Sequence, residues 1–344
     1  MTKIDIFSGF LGAGKTTLIR KLISEAFKGE KLVLIENEFG EIAIDGGFLQ
    51  DAGIEITEMS QGCICCSLVG DFGKALRQVL ETYHPDRILI EPSGVGKLSD
   101  VIRAVQNLHM EDVALNSFTT VADANKCKMY MKNFGEFYND QIEHANSIIL
   151  SRTDGIKPEK LEACVALLRE HNQNATIITT PWDQLTGAQI LETMEHKNTL
   201  EEELKLLAEE TEHEHHHHHD HDHDEHDEHG TGGGQDHDHD HDEHDHEHHH
   251  HHHADEVFTS WGTETTRKFT KDEIEHILEE LDNNEKYGMI LRAKGIVAGR
   301  DGEWIHFDYV PEETSVRNGS AGVIGRLCVI GSHINEAAIE ALFA

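Results

Sequence analysis

Gly9-Phe10-Leu11-Gly12-Ala13-Gly14-Lys15-Thr16 decides the reading of this chain. It follows an apolar run, Ile4–Ser8, and opens an amphipathic one, Thr16–Phe27, so it is a strand-to-helix turn with the spacing G-x-x-x-x-G-K-[ST]. Gly9, Gly12 and Gly14, with the small Ala13 between them, let successive backbone N–H groups turn inward around phosphate oxygens. The helix N-terminus adds a favourable field for the same anion. Lys15 is then placed to reach the β- and γ-phosphates of a nucleotide, the Thr16 hydroxyl to bind Mg²⁺, and Thr17 to complete the cradle.

Outward from this turn, short apolar runs alternate with amphipathic ones. The strand candidates are Ile4–Ser8, Leu32–Glu36, Ile54–Glu58, Arg87–Glu91, Ser117–Ala122, Ser147–Leu150 and Thr176–Thr179. Helices are expected at Thr16–Phe27, Phe72–Tyr83, Leu98–Leu108 and Pro158–Glu170, and in the first of these Leu18, Leu22 and Ile23 recur at helical spacing. The fold class expected is α/β, a P-loop NTPase domain with a mostly parallel sheet covered on both faces. After residue 256 the pattern changes to a small α+β domain. Its strands are expected at Val257–Trp261, Met289–Val297, Trp304–Tyr309 and Val323–Ile330, and its helices at Thr270–Leu281 and Glu336–Leu342.

Between the two lies the compositional outlier. Residues 213–253 hold 21 His and 14 Asp or Glu among 41 residues, interrupted only by Gly230-Thr231-Gly232-Gly233-Gly234-Gln235. With no apolar side chain the stretch cannot offset the entropy of folding, so it is expected to be a disordered insert that binds several metal ions loosely. The domain division expected is therefore 1–198, a linker at 199–255 beginning with an acidic helix at Thr199–Glu210, and 256–344. The net charge of −36 argues against a nucleic-acid partner, since a phosphate backbone wants a basic surface. No apolar run approaches a membrane span and residues 1–8 read as a strand, so a cytoplasmic chain with no membrane partner and reduced cysteines is expected.

Three further stretches carry chemistry. Glu91-Pro92-Ser93-Gly94 closes a buried strand, where a carboxylate can act on Mg²⁺ or its water and the Gly94 N–H can face the γ-phosphate. Ser151-Arg152-Thr153-Asp154 closes another, and the Asp154 carboxylate can accept both N1–H and N2–H₂ of guanine, a donor pair adenine lacks. Cys63-Ile64-Cys65-Cys66 packs three thiols into four residues. Bridging the adjacent Cys65 and Cys66 would strain a disulfide, so soft thiolate ligands for one metal ion are the better reading, against a buried structural cluster as the alternative. Glu36, Glu38 and Glu41 alone would be a solvated acidic loop.

The stretches 9–17 (GFLGAGKTT), 35–41 (IENEFGE), 62–66 (GCICC), 91–94 (EPSG) and 292–295 (RAKG) together resemble the CobW-type GTPases, relatives of the nickel-insertion GTPases of urease and hydrogenase maturation. The resemblance implies GTP hydrolysis coupled to delivery of a transition metal to a client protein. Zinc is the expected cargo, with cobalt and nickel as the other branches. It implies a metal site on Cys65 with Glu36 and Glu41 nearby and Cys63 or Cys66 contributing. Homo-oligomerisation stays open. A P-loop kinase or nucleotide-driven chelatase component, and a passive metal store, are the competing classes; the kinase lacks an acceptor signature and a store has no need of residues 9–16. Cys127, Cys164 and Cys328 read as scattered core residues, His84, His109, His144, His306 and His333 show no ligand spacing, and Trp182, Trp261 and Trp304 read as packing anchors.

Overall fold

The computed structural model describes residues 1–36, 69–107, 110, 112–195, 204, 259–311 and 313–344. The expected strand Ile54–Glu58 and the His/Asp-rich insert lie outside the described residues, as does the acidic helix apart from Leu204.

Six strands form the first sheet: β1 (Thr2–Ser8), β2 (Leu32–Glu36), β3 (Arg87–Glu91), β4 (Val113–Asp123), β5 (Ser147–Ser151) and β6 (Thr176–Ile178). They pair in the order β2-β3-β1-β4-β5-β6, all parallel. Parallel strands need crossovers, and helices supply them on both faces: α1 (Lys15–Glu25), α2 (Val69–Tyr83), α3 (Leu98–Gln106), α4 (Cys127–Glu143), α5 (Pro158–His171) and α6 (Gly187–Met194). Period-two alternation sorts β1 between them. Ile4 and Ile6 enter a core with Leu98, Val101, Ile142 and Leu168. Phe7 enters the opposite one with Leu18, Leu22, Leu34 and Ile190.

Two helices of this first unit were not expected from the sequence, α4 and α6. In α4 the buried residues are Cys127, Tyr138, Gln141 and Ile142, while Met129, Phe134 and Phe137 are exposed. Its apolar spacing therefore does not describe the buried face, and Phe134 interrupts the helix with φ −134° and ψ 29°. In α6 the start is fixed by a capping box in which Thr186 Oγ1 accepts from the Gln189 N–H and Gln189 accepts from the Thr186 N–H.

The second unit is an antiparallel sheet: β7 (Thr259–Thr265), β9 (Met289–Gly299), β10 (Trp304–Val310), β11 (Glu313–Gly319) and β12 (Gly325–Ser332), in the order β11-β10-β9-β12-β7, with the short β8 (Lys268–Phe269) beside β9. The unexpected strand β11 is an exposed edge with Val316 as its one apolar residue, so it carries no alternation to read. Helices α7 (Lys271–Glu280), capped by Thr270 and Glu273, and α9 (Glu336–Phe343) cover one face, with the short α8 (Asn284–Tyr287) between them in the chain. Val323 and Ile324 belong to the core beneath α1 and α6, so the second unit inserts a loop into the first. Among the described residues no helix is long and apolar enough to cross a membrane.

Candidate nucleotide and metal site

The loop between β1 and α1 is built as its glycines demand. Gly14 takes φ 106° and ψ 19° where it caps α1, a left-handed conformation that a side chain would strain. The N–H of Ala13 donates to Phe10 O at 3.1 Å, closing the turn. Lys15, only 8% exposed, donates from Nζ to Gly9 O at 3.0 Å and lies 3.9 Å from Glu91 Oε1. Thr16 Oγ1 donates to both oxygens of Glu91 at 3.2 and 3.3 Å. Thr17, next along α1, is exposed. Buried Lys15, Thr16 and Glu91 thus form one cluster at the carboxyl ends of β1 and β3, where open parallel sheets hold their ligands.

Gly94 closes the cluster from one side. A Cβ there would sit 2.9 Å from both the Leu11 N and its Cδ2, so only glycine lets the 91–96 turn approach the loop. Gln141, fully buried on α4, donates its Nε2 to Gly94 O at 3.1 Å and Gly96 O at 2.8 Å.

Arg152 closes the other side. Held at φ 57°, it donates Nη2 to Gly12 O at 3.0 Å, while its Nε lies 3.2 Å from the buried Asp123 carboxylate at the end of β4. Asp154, two residues on, is exposed. The indole of Trp182 donates to Leu150 O at 2.9 Å and lies 3.3 Å from where a Gly14 side chain would begin. The packing role expected of Trp182 therefore falls against the phosphate-binding turn. Sequence reasoning missed Asp123 and Gln141; Asp123 was signalled by the strand end it occupies, whereas nothing local marked Gln141.

Of the expected metal ligands, Cys63, Cys65, Cys66 and Glu41 lie outside the described residues. Glu36 ends β2, in register with Glu91 on β3. No group of three His, Cys, Asp or Glu suited to a metal ion occurs among the described residues. Cys127 and Cys164 are buried as expected but are not scattered: their Sγ atoms are 3.1 Å apart, and the Tyr138 hydroxyl donates to Cys127 Sγ at 3.1 Å. The Cys164 hydrogen bond and that of Tyr138 hold the Cys127 thiol below its ordinary range.

Residues 3–179 match the model of the CobW/HypB/UreG nucleotide-binding domain, and residues 258–344 match the cobalamin synthesis protein cobW C-terminal domain. The chain belongs to the CobW/HypB/UreG family. Among curated members of that family, the zinc chaperone YeiR of Escherichia coli (strain K12) is 29% identical over 54% of this chain and 57% of its own length. The zinc chaperone CobW of Sinorhizobium sp is 33% identical over 46% of this chain and 52% of its own. The chain thus spans about half the length of the curated CobW-type relatives it matches. Among solved structures, the Zn(II)-bound YjiA GTPase from E. coli is matched at 19% identity and TM-score 0.39, over 99% of this chain and 98% of that one.

Proposed function

We propose that this chain is a GTP-hydrolysing metallochaperone that holds zinc at Cys63, Cys65 and Cys66 and passes it to a metal-requiring client protein. The observation that carries the reading is the contact of Thr16 Oγ1 with Glu91 at 3.2 Å, one strand away from Glu36, where the polypeptide enters the segment bearing the cysteines. One strand pair thereby joins the phosphate-binding turn to the thiol-bearing segment. The family's zinc chaperones support the choice of cargo.

The residues present suit the ligands. The Gly14-capped start of α1 and the buried Lys15 suit a triphosphate. The Thr16 hydroxyl and Glu91 carboxylate are hard oxygen donors of the kind Mg²⁺ takes, and they would hold it. When bound, that ion neutralises charge on the β- and γ-phosphate oxygens. Lys15 supplies a buried cation at the same oxygens, Glu91 orients the attacking water, and Gly94 presents its N–H to the γ-phosphate. Asp154 reads guanine through N1–H and N2–H₂. Thiolates with carboxylate neighbours suit zinc, which is cargo here.

The deciding experiment is phosphate release from GTP with no small-molecule acceptor, alongside zinc binding by protein loaded with GTP analogue or GDP. Acceptor-independent hydrolysis and a zinc affinity that differs between the two nucleotides are expected. Equal affinities would sink the coupling, because a ligand with no differential affinity shifts no equilibrium.

A further inference from the structure

Thr179 and Thr180, at the end of β6, direct both of their backbone N–H groups to one oxygen of the second unit, Val323 O, at 3.0 and 3.3 Å. Pro181 has no N–H to offer. The Thr180 hydroxyl is also engaged, donating to Gly322 O at 2.6 Å. Beside this contact a cleft of about 180 Å³ opens between the two units. Thr153, Asp154 and Gln184 line one wall, and Thr266, Lys268 and Trp304 line the other. Pockets that take whole drug-sized ligands are larger, roughly 300–1,000 Å³, so this one has room for a ring and not for an entire nucleotide.

The cleft has unmet hydrogen-bonding capacity. Thr153 is 6% exposed, and its Oγ1 is buried with no hydrogen-bond partner, a condition that is rare in folded proteins. Among the described residues the exposed Lys268 ammonium forms no hydrogen bond or ion pair, and the Asp154 carboxylate forms none either. An acceptor thus stands on one wall and a cationic donor on the other. Arg152, two residues before Asp154 of the cleft wall, donates to Gly12 O at 3.0 Å, so the turn that carries Asp154 is bonded directly to the phosphate-binding loop.

We propose that Lys268, on the second unit, is a specificity-determining residue for the nucleotide base, donating to guanine O6 from the wall opposite Asp154. This rests on Asp154 reading guanine, as proposed above. With the Thr179 and Thr180 amides engaged, Lys268 is the charged donor lining the cleft that can meet O6. Adenine places an amino group at that position, which an ammonium repels. A site that hydrogen-bonds one edge of a ligand rejects the analogue lacking it far more strongly than an apolar pocket does. Base recognition is thereby shared between the two family domains, and filling the cleft tightens the contact between them.

The test uses the full chain and equilibrium binding of GDP, ADP and xanthosine diphosphate. Asp154→Asn should move preference from GDP to xanthosine diphosphate. Lys268→Met should weaken GDP about tenfold, the loss of one charge-assisted hydrogen bond, while leaving ADP and the thermal midpoint unchanged. Lys268→Arg should stay within about threefold of the parent. A fall in GDP and ADP affinity together would mark Lys268 as merely structural and overturn the inference. If Asp154→Asn swaps the base and Lys268→Met has no effect on GDP, this inference alone fails. If Asp154→Asn produces no swap, the guanine reading falls and takes this one with it.

Discussion

Glu36 and Glu91 are direct neighbours across β2 and β3, the last residues of both strands and in register. Glu91 receives the Thr16 hydroxyl, and Glu36 leads into the segment that carries Cys63, Cys65 and Cys66. The coupling proposed above between nucleotide and metal would run through this strand pair. Glu91→Gln and Thr16→Ala should each lower the turnover of GTP about 10²-fold, the scale of removing one preorganised polar group from a reaction centre. Glu36→Gln should weaken zinc binding and leave metal-free phosphate release within about threefold. Steady-state phosphate release and zinc titration against a chromophoric chelator check the three variants.

Gly94→Ala tests the approach of the 91–96 turn to the phosphate-binding loop. Its methyl would arrive 2.9 Å from Leu11 N, a backbone atom that cannot swing aside. Overpacking of this kind costs about 1–3 kcal/mol, and here the shift falls on the loop that holds the nucleotide. GTP binding should weaken more than tenfold, read by calorimetry.

Gln141→Leu removes the donor shared by Gly94 O and Gly96 O. Leaving buried acceptors unpaired costs about 1–3 kcal/mol. A lower thermal midpoint is expected together with weaker GTP binding, because the same two carbonyls position Gly94.

Arg87→Met tests the buried charges at the opposite end of β3. The guanidinium, 2% exposed, meets Asp5 at 2.5 Å, Glu30 at 2.6 Å and Glu195 at 3.2 Å. Burial alone would favour the neutral form, yet the hydrogen bonds it donates to Glu30 and the charge of Asp5 hold the guanidinium above its ordinary value. Removing it strands the fully buried Asp5 and should cost about 3–5 kcal/mol in urea unfolding. GTP turnover per folded molecule should persist.

Deleting residues 213–253 should lower the number of zinc ions bound per chain while leaving GTP hydrolysis within about twofold, since the stretch supplies imidazoles and carboxylates but none of the residues around Lys15. Inductively coupled plasma analysis of protein purified without added metal measures the first, phosphate release the second.

The parallel sheet and its phosphate-binding turn were legible because the strands are short apolar runs, two of which end in the carboxylates Glu36 and Glu91. The turn is local, so its eight consecutive residues declare it. What stayed hidden depends on distant partners. Gln141 acts on Gly94 from 47 positions away, and Cys127 meets Cys164 only once α4 and α5 pack. Helix α4 was missed because its apolar residues Met129, Phe134 and Phe137 face outward. Strand β11 was missed because an exposed edge needs no apolar face. The thiol cluster was conspicuous in the sequence and lies outside the described residues.

Val323 O accepts from Thr179 and Thr180, Ala321 O accepts from Gln189, and Arg169 reaches Glu264 at 2.9 Å. The halves of the polypeptide are therefore stapled together independently of the chain that connects them. A protease that nicks the His/Asp-rich stretch should yield two fragments that travel as one particle through gel filtration and separate only in denaturant. Severing the covalent link would not by itself disassemble the molecule.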